Sequence, residues 1–259
     1  MNIYSSINKF AGITLITGAI LFSSCRTKDK INGITPEIKN YGSLTVKVSN
    51  EAGGQPITFG TMSFTNAAGN KYSVDLLKYF VSNFTLIRND GSERNFGNYK
   101  LIDASDTSTC SFTLDSVANG SYKAIRFYLG VDSLHNHTVL NQGDLNPISG
   151  MVWSWNTGYI FFKHEGSYIN DTGTSKILLY HFGTDAALST VDIPITQFDI
   201  NSNKKTLYIK FDLNSLYNAP NTINFTGNNF HQSTELSDRI WLGNLRTNFS
   251  SSFTFDKVQ

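Results

Sequence analysis

The chain has 259 residues, 40% of them hydrophobic and only 16% charged, with 19 Phe and 12 Tyr. That composition belongs to a globular, aromatic-rich protein and excludes a disordered one. Lys and Arg total 21 against 20 Asp and Glu, a formal charge of +1, so no long-range field favours nucleic acid or an acidic membrane surface.

The chain opens on MNIYSSINKFAGITLITGAILFSSC, with one Lys in a polar start and an apolar run from Ala11 to Phe22. The run is too short to stay in a bilayer as a spanning helix, and it ends in small residues, so residues 1–24 read as a secretory signal. The closing FSSC resembles a bacterial lipobox, which implies cleavage before Cys25 and acylation of that residue. Several acyl chains would hold the protein to a membrane far more firmly than one. Residues 25–42 then read as a tether. No acidic run follows Cys25, which favours the periplasmic side of the outer membrane over the cell surface. Cys110 is the second cysteine and has no disulfide partner if Cys25 is lipidated; its strand-like setting, TSTCSFTL, makes it a buried or edge thiol.

From residue 43 the pattern has a period of two. SLTVKVS alternates Leu44, Val46 and Val48; KYFVSNFTLIR sets Phe80, Phe84 and Leu86 against Tyr79 and Val81; YKAIRFYLGV alternates Ile125, Phe127, Leu129 and Val131. YIFFKHEG, KILLYHFG and KTLYIKFDL continue in the same style, and turn signals such as EAGGQP, NDGS, VANGS, WNTG and NSNKK separate the runs. Many short strands predict an all-β fold, an antiparallel β-sandwich or open barrel, in one domain over residues 43–259. One short C-terminal helix is predicted in STELSDRIWLGNLRTNF, with Leu236, Ile240 and Leu245 on its apolar face and Ser233 or Thr234 as cap.

Enzyme signatures are missing: no G-x-S-x-G elbow, no P-loop, no G-x-G-x-x-G, and no defensible acid/base pair. A non-enzyme is therefore expected. Asp199, Asn201 and Asn203 begin like a calcium loop, but the sixth position is not Gly and Lys210 stands where a bidentate Glu belongs, so a turn is expected there. His135 and His137, if extended, project to one face as a metal site or a polar loop. His181 shares the Leu179 side of its strand and should turn inward. His164, alternating with Ile160 and Phe162, reads as a core histidine, and His231 as a surface or capping residue. In GMVWSWNTGYIFF, Met151, Trp153 and Trp155 share one parity in a hairpin with a three-residue loop. They read either as core packing with a sulfur–aromatic contact or as an aromatic platform for a sugar or apolar ligand.

Four blocks in this order resemble the MbnP-like family of bacterial copper-binding proteins: LLKYFVSNFTLIRNDGS, GSYKAIRFYLGVDSLHNH, LNPISGMVWSWNTGYIFFKHEG and YHFGTD. The resemblance runs over most of residues 43–255. It implies a mostly β fold and copper held by imidazoles, in some members beside a tryptophan oxidised to kynurenine by a di-haem peroxidase-like partner enzyme. Carried over residue by residue, His137 matches the family's N-H, His181 its H-x-G, and Trp153 and Trp155 its W-x-W, with nothing to choose which indole would be the oxidised one. His135 is extra. Cu(I) accepts two or three imidazoles, with Met151 as a soft helper and Asp132 or Asp144 as a carboxylate behind a ligand. The resulting expectation is a lipid-anchored copper-binding protein. The competing one is a metal-free surface lipoprotein that binds a glycan or protein through the aromatic face.

Overall fold

A computed structural model of the protein describes residues 40–138, 142–154, 157–233 and 238–259. In chain order the principal strands are β1 (Tyr41–Ala52), β2 (Leu76–Arg88), β3 (Tyr99–Asp103), β4 (Ser111–Ala118), β5 (Gly120–Leu129), β6 (Val152–Ser154), β7 (Gly158–Ile169), β8 (Ser175–Gly183), β9 (Ser189–Ile200), β10 (Lys204–Asp212), β11 (Phe230–His231) and β12 (Phe253–Val258). Two single helical turns, α1 (Ser133–Asn136) and α2 (Leu213–Leu216), and one longer helix, α3 (Arg239–Ser252), complete the set. The signal segment, Cys25 and most of the expected tether lie outside the described residues. β1 begins at Tyr41, inside the expected tether, because Tyr41 and Gly42 already pair with Ala118 and Val117 of β4.

A smaller sheet runs β12–β10–β1–β4 and a larger one β9–β5–β2–β7–β8–β11, with β3 on β2 and β6 on β7. The sheets are mostly antiparallel and curl into a half-barrel, which bears out the all-β expectation. Two pairings are parallel: β1 with β10, from Ser43↔Lys204 to Glu51↔Asp212, and β8 with β11. Parallel neighbours need a long crossover, and here the larger sheet itself fills the chain between β1 and β10. Alternation reveals which face of a strand is apolar but not which way its neighbour runs.

The core lies between the sheets and under α3. Leu44, Val46 and Val48 of β1 are buried, as are Leu207, Ile209 and Phe211 of β10. Tyr79 meets Phe211 and Phe253, Phe84 meets Phe112 and Phe127, and Phe162 meets Phe211 and Phe249. Each such side chain contributes roughly 1.5–3 kcal/mol by leaving water. Central β2 buries both its faces, including Tyr79, Phe80 and Val81, because neighbours cover it on either side. The C-terminal helix forms, but with a different start and face. Trp241, Leu245 and Phe249 are buried at i, i+4 and i+8, whereas Ile240 is 80% exposed, a helical step away from that stripe. Thr234 and Leu236 lie outside the described residues, and the Ser233 hydroxyl serves β8 instead, donating to the His181 carbonyl and accepting from the Gly183 amide. Residues 201–203 form the turn between β9 and β10, as the broken calcium-loop pattern predicts.

His164 is fully buried, as expected of a core histidine, and its ring is satisfied on both nitrogens: Nδ1 lies 2.5 Å from the Tyr217 hydroxyl and Nε2 3.3 Å from the Ser73 carbonyl. Burial pushes its pKa down to about 4, so it is neutral. Cys110 sits half-buried just before β4, where Asn50 Nδ2 reaches its Sγ at 3.5 Å and burial pushes the thiol pKa up.

Candidate functional site

The segment after β5 does not continue as a strand. Asp132 caps α1 by accepting from the His135 amide, and Ser133–Asn136 close one helical turn. In a helical turn residues two apart do not share a face, so His135 and His137 diverge, contrary to the extended reading. His135 Nδ1 lies 3.0 Å from Asp132 Oδ1 and 2.8 Å from the Tyr99 hydroxyl, which itself donates to Asp132. Asn83, in a left-handed conformation (φ 52°) where the β2–β5 register shifts, donates to the same carboxylate at 3.0 Å. Burial alone would raise the Asp132 pKa; hydrogen bonds from Tyr99, His135 and Asn83 outweigh it and hold the carboxyl at about 2.

Asn136 and His137 turn the other way. Asn136 is buried, donates through Nδ2 to Asp185 Oδ1 at 2.7 Å, and accepts through Oδ1 from the Tyr159 amide at 2.7 Å. It thereby ties α1 to the start of β7 and to the turn after β8. Gly158 makes this approach feasible: a Cβ there would lie 2.3 Å from Asn136 Oδ1, and its φ of +88° suits glycine. His137 Nε2 stands 3.2 Å from each oxygen of Asp185, with nearly half of its side chain exposed. Ser133 adds a hydroxyl to Asp185 at 2.5 Å. Burial raises the Asp185 pKa, but Ser133, Asn136 and His137 together hold it below the usual carboxylate range. Asp185 is the carboxylate behind His137, a role that the sequence suggested for Asp132 or Asp144. Asp144 pairs with Lys100 and the Leu101 amide. The only signal for Asp185 in the sequence was the closing letter of YHFGTD.

His181 points outward, not into the core. Tyr180 and Phe182 face the interior, so strand alternation puts His181, Lys163 and Glu165 on the opposite face of the β7–β8 pair. His181 Nε2 lies 2.8 Å from Glu165 Oε1, which also takes Lys163 at 3.2 Å. Burial lowers the His181 pKa more than Glu165 raises it, while Glu165 itself is held below its usual value by His181 and Lys163. Near neutral pH the contact is therefore a neutral imidazole N–H donating to a carboxylate, which leaves Nδ1 with its lone pair.

Trp153 packs against Gly183 of β8. A Cβ on Gly183, two residues after His181 and two before Asp185, would stand 2.7 Å from Trp153 Cζ3 and 2.5 Å from the Tyr159 carbonyl. The indole is thus packed into the place a side chain at 183 would take. Its Nε1 is buried without a hydrogen-bond partner, an arrangement that typically costs about 1–3 kcal/mol. The hairpin forms as expected, but Ser154 pairs with Gly158, so Gly158 opens β7 instead of lying in the loop; Trp155 lies outside the described residues. Met151 is fully buried in the hydrophobic core. His231 is neither a surface residue nor a cap: it stacks on Trp241 at 4.5 Å and bonds Asp238 at 2.7 Å.

Among the described residues no group of three or more His, Cys, Asp or Glu stands ready to enclose a metal ion. What the fold supplies is two imidazoles, His137 and His181, each with Nε2 against a carboxylate, and an indole packed against Gly183, two residues along the chain from His181 and from Asp185. Carboxylate-backed imidazoles are a common form of metal-ligating histidine, and a two-imidazole donor set suits Cu(I) better than a hard cation.

The MbnP family model matches residues 41–235. Among solved structures, the chain resembles MbnP from Methylosinus trichosporium, with a TM-score of 0.50 and 17% identity over 68% of this chain and 78% of that one, a likeness of fold. No curated protein matches the sequence. With the family model spanning β1 through the end of the larger sheet, the chain belongs to the MbnP family.

Proposed function

We propose that this protein binds copper in the cell envelope, using His137 and His181 as its imidazole donors, and has no catalysis of its own. The observation that carries the reading is the placement of Trp153 at Gly183, between His181 and the Asp185 that holds His137. In this reading each imidazole binds through Nδ1 while its carboxylate holds Nε2–H and fixes the ring. Bound copper would supply a soft, redox-active cation at the rim of β8. A di-haem peroxidase-like partner would oxidise Trp153 or Trp155. The N-terminal segment supports anchoring through an acylated Cys25 on the periplasmic side of the outer membrane.

Anaerobic Cu(I) titration of the protein tests the site: one equivalent should bind, and the His137→Ala/His181→Ala double variant should lose it. Unchanged binding in the double variant would sink the assignment. Intact mass of the native protein reports acylation at Cys25 and any added oxygen on tryptophan. The glycan-binding alternative has less support, because the Trp153 ring is spent on packing and only half-exposed; it predicts no copper uptake and a loss of carbohydrate binding in Trp153→Ala.

A further inference from the structure

At the far end of β5 from the histidines lies a cleft of about 520 Å³ that owes nothing to copper chemistry. It is lined by the start of β1, the ends of β2 and β4, the start of β5 and residues 92–94, with Tyr41, Arg88, Glu93, Arg94, Ser116 and Tyr122 on its walls. We propose that this cleft binds a phosphate group.

Charge is the first ground. Arg88 and Arg94 both face the cleft, and among the described residues neither has an ion-pair partner. The acidic groups nearby are already engaged. Glu93 accepts both of its hydrogen bonds from Arg126, at 2.9 and 3.0 Å, and the same guanidinium takes Asp192 at 2.6 Å. Asp90 accepts from the Ser92 amide at 2.8 Å and its hydroxyl at 2.7 Å. The cleft therefore carries two guanidinium groups without a direct ion pair, against the lining carboxylate of Glu93, which Arg126 holds, and Asp90, which acts on Arg88 only at a distance.

Preorganisation is the second ground. Arg88 rests over the Tyr122 ring at 5.5 Å and donates one arm to the Asn119 carbonyl at 3.1 Å, while Arg94 rests over Phe96 at 5.4 Å. Guanidinium groups held on aromatic faces lose little freedom when they grip an anion. Ser116 lines the same cleft in a left-handed conformation, φ 55°, of the kind that persists where the surrounding fold enforces it.

The number of donors chooses the anion. The Tyr122 hydroxyl is spent on the Ala118 carbonyl and that of Ser92 on Asp90, but two guanidinium groups with the Ser116 and Tyr41 hydroxyls still offer more donors than the two oxygens of a carboxylate can use, whereas a phosphate presents three or four oxygens in a tetrahedral array. The group can come from a soluble phosphate ester or from a phospholipid headgroup, since Tyr41 at the rim is where β1 begins.

Titration of the full chain with inorganic phosphate, followed by calorimetry and 31P line broadening, tests the cleft. Saturable binding should fall at least tenfold in Arg88→Gln and several-fold in Arg94→Gln, with Arg88→Lys between Arg88→Gln and the parent. Arg94 is exposed, so its variant folds even if loss of the Arg88–Tyr122 contact disturbs the strand ends. Competition by phosphatidylglycerol vesicles, and not by phosphatidylcholine vesicles, would identify the headgroup as the source; competition by glycerol phosphate alone would identify a soluble ester. Absent phosphate binding, or binding unchanged in both glutamine variants, would overturn the proposal. Copper titration in the same variants should be unchanged, so failure here is separable from failure at the histidines.

Discussion

The two faces of the β7–β8 pair carry histidines with different neighbours. On the inner face His164 is sealed beneath Tyr217, neutral, with both ring nitrogens satisfied inside the fold. On the outer face His181 sets Nε2 against the Glu165 carboxylate, as His137 does with Asp185. Desolvation acts on His164 and His181 alike, lowering both pKa values. The difference is in what the neighbours are. An uncharged hydroxyl and carbonyl make His164 a structural strut, whereas carboxylates back His137 and His181, the pair proposed to hold copper. Proximity in sequence and identity of residue type thus do not determine role; the face of the strand does.

The sharpest way to break that contrast is to remove one histidine from each face. His164→Ala opens a cavity and orphans the Tyr217 hydroxyl, and should cost about 3 kcal/mol or more, read as a lower denaturant midpoint with copper uptake retained by the folded fraction. If His164 proves silent to truncation, the inner face is not the strut described. The same residue sets a pH dependence. Its folded pKa of about 4 lies below the ordinary 6.5, so the unfolded chain takes up the proton first as pH falls. Stability from this group is full above pH ~6.5 and declines down to pH ~4, by about 3 kcal/mol in total, and urea midpoints across that window measure it. The decline should flatten in a His164→Gln variant.

Gly183→Ala comes next. Its new methyl must displace Trp153 or the Tyr159 carbonyl, at a cost of about 1–3 kcal/mol, together with a shift in tryptophan emission. Unchanged emission would mean that the indole is not held where the two imidazoles need it. The smallest effect on stability and the most specific effect on binding belong to Asp185→Asn. An exposed carboxylate–imidazole pair contributes only about 0–1 kcal/mol. Losing the carboxylate behind a ligand histidine should nonetheless weaken Cu(I) affinity by about 10–100-fold. A thermal midpoint that holds while affinity drops is the expected signature.

Much of this was legible in one dimension. Alternation located Leu44, Val46 and Val48, Ile125, Phe127 and Leu129, and the buried His164, because burying one face of a strand writes a period of two into the chain. The hairpin at WNTG was also readable, from its glycine and its spacing. Motif order pointed to His137 and His181. Where reading failed, the cause was tertiary. His181 was assigned to the wrong face because Leu178, Tyr180 and Phe182 form the core side, and both parities of KILLYHF are apolar. His135 was paired with His137 because one turn of helix is invisible in a polar loop. Asp185 and Glu165 had no periodicity to mark them, and they acquire meaning only when α1 and β7 fold against β8.

By itself, then, the sequence determined the β class, most of the strands and the core aromatics, since each leaves a local pattern. Only the tertiary structure decided which way β1 and β10 run beside each other, which imidazole faces which carboxylate, and that Trp153 fills the space above Gly183. Those choices depend on contacts between segments far apart in the chain, and no alternation within one segment encodes the direction, register or face that its partner will present.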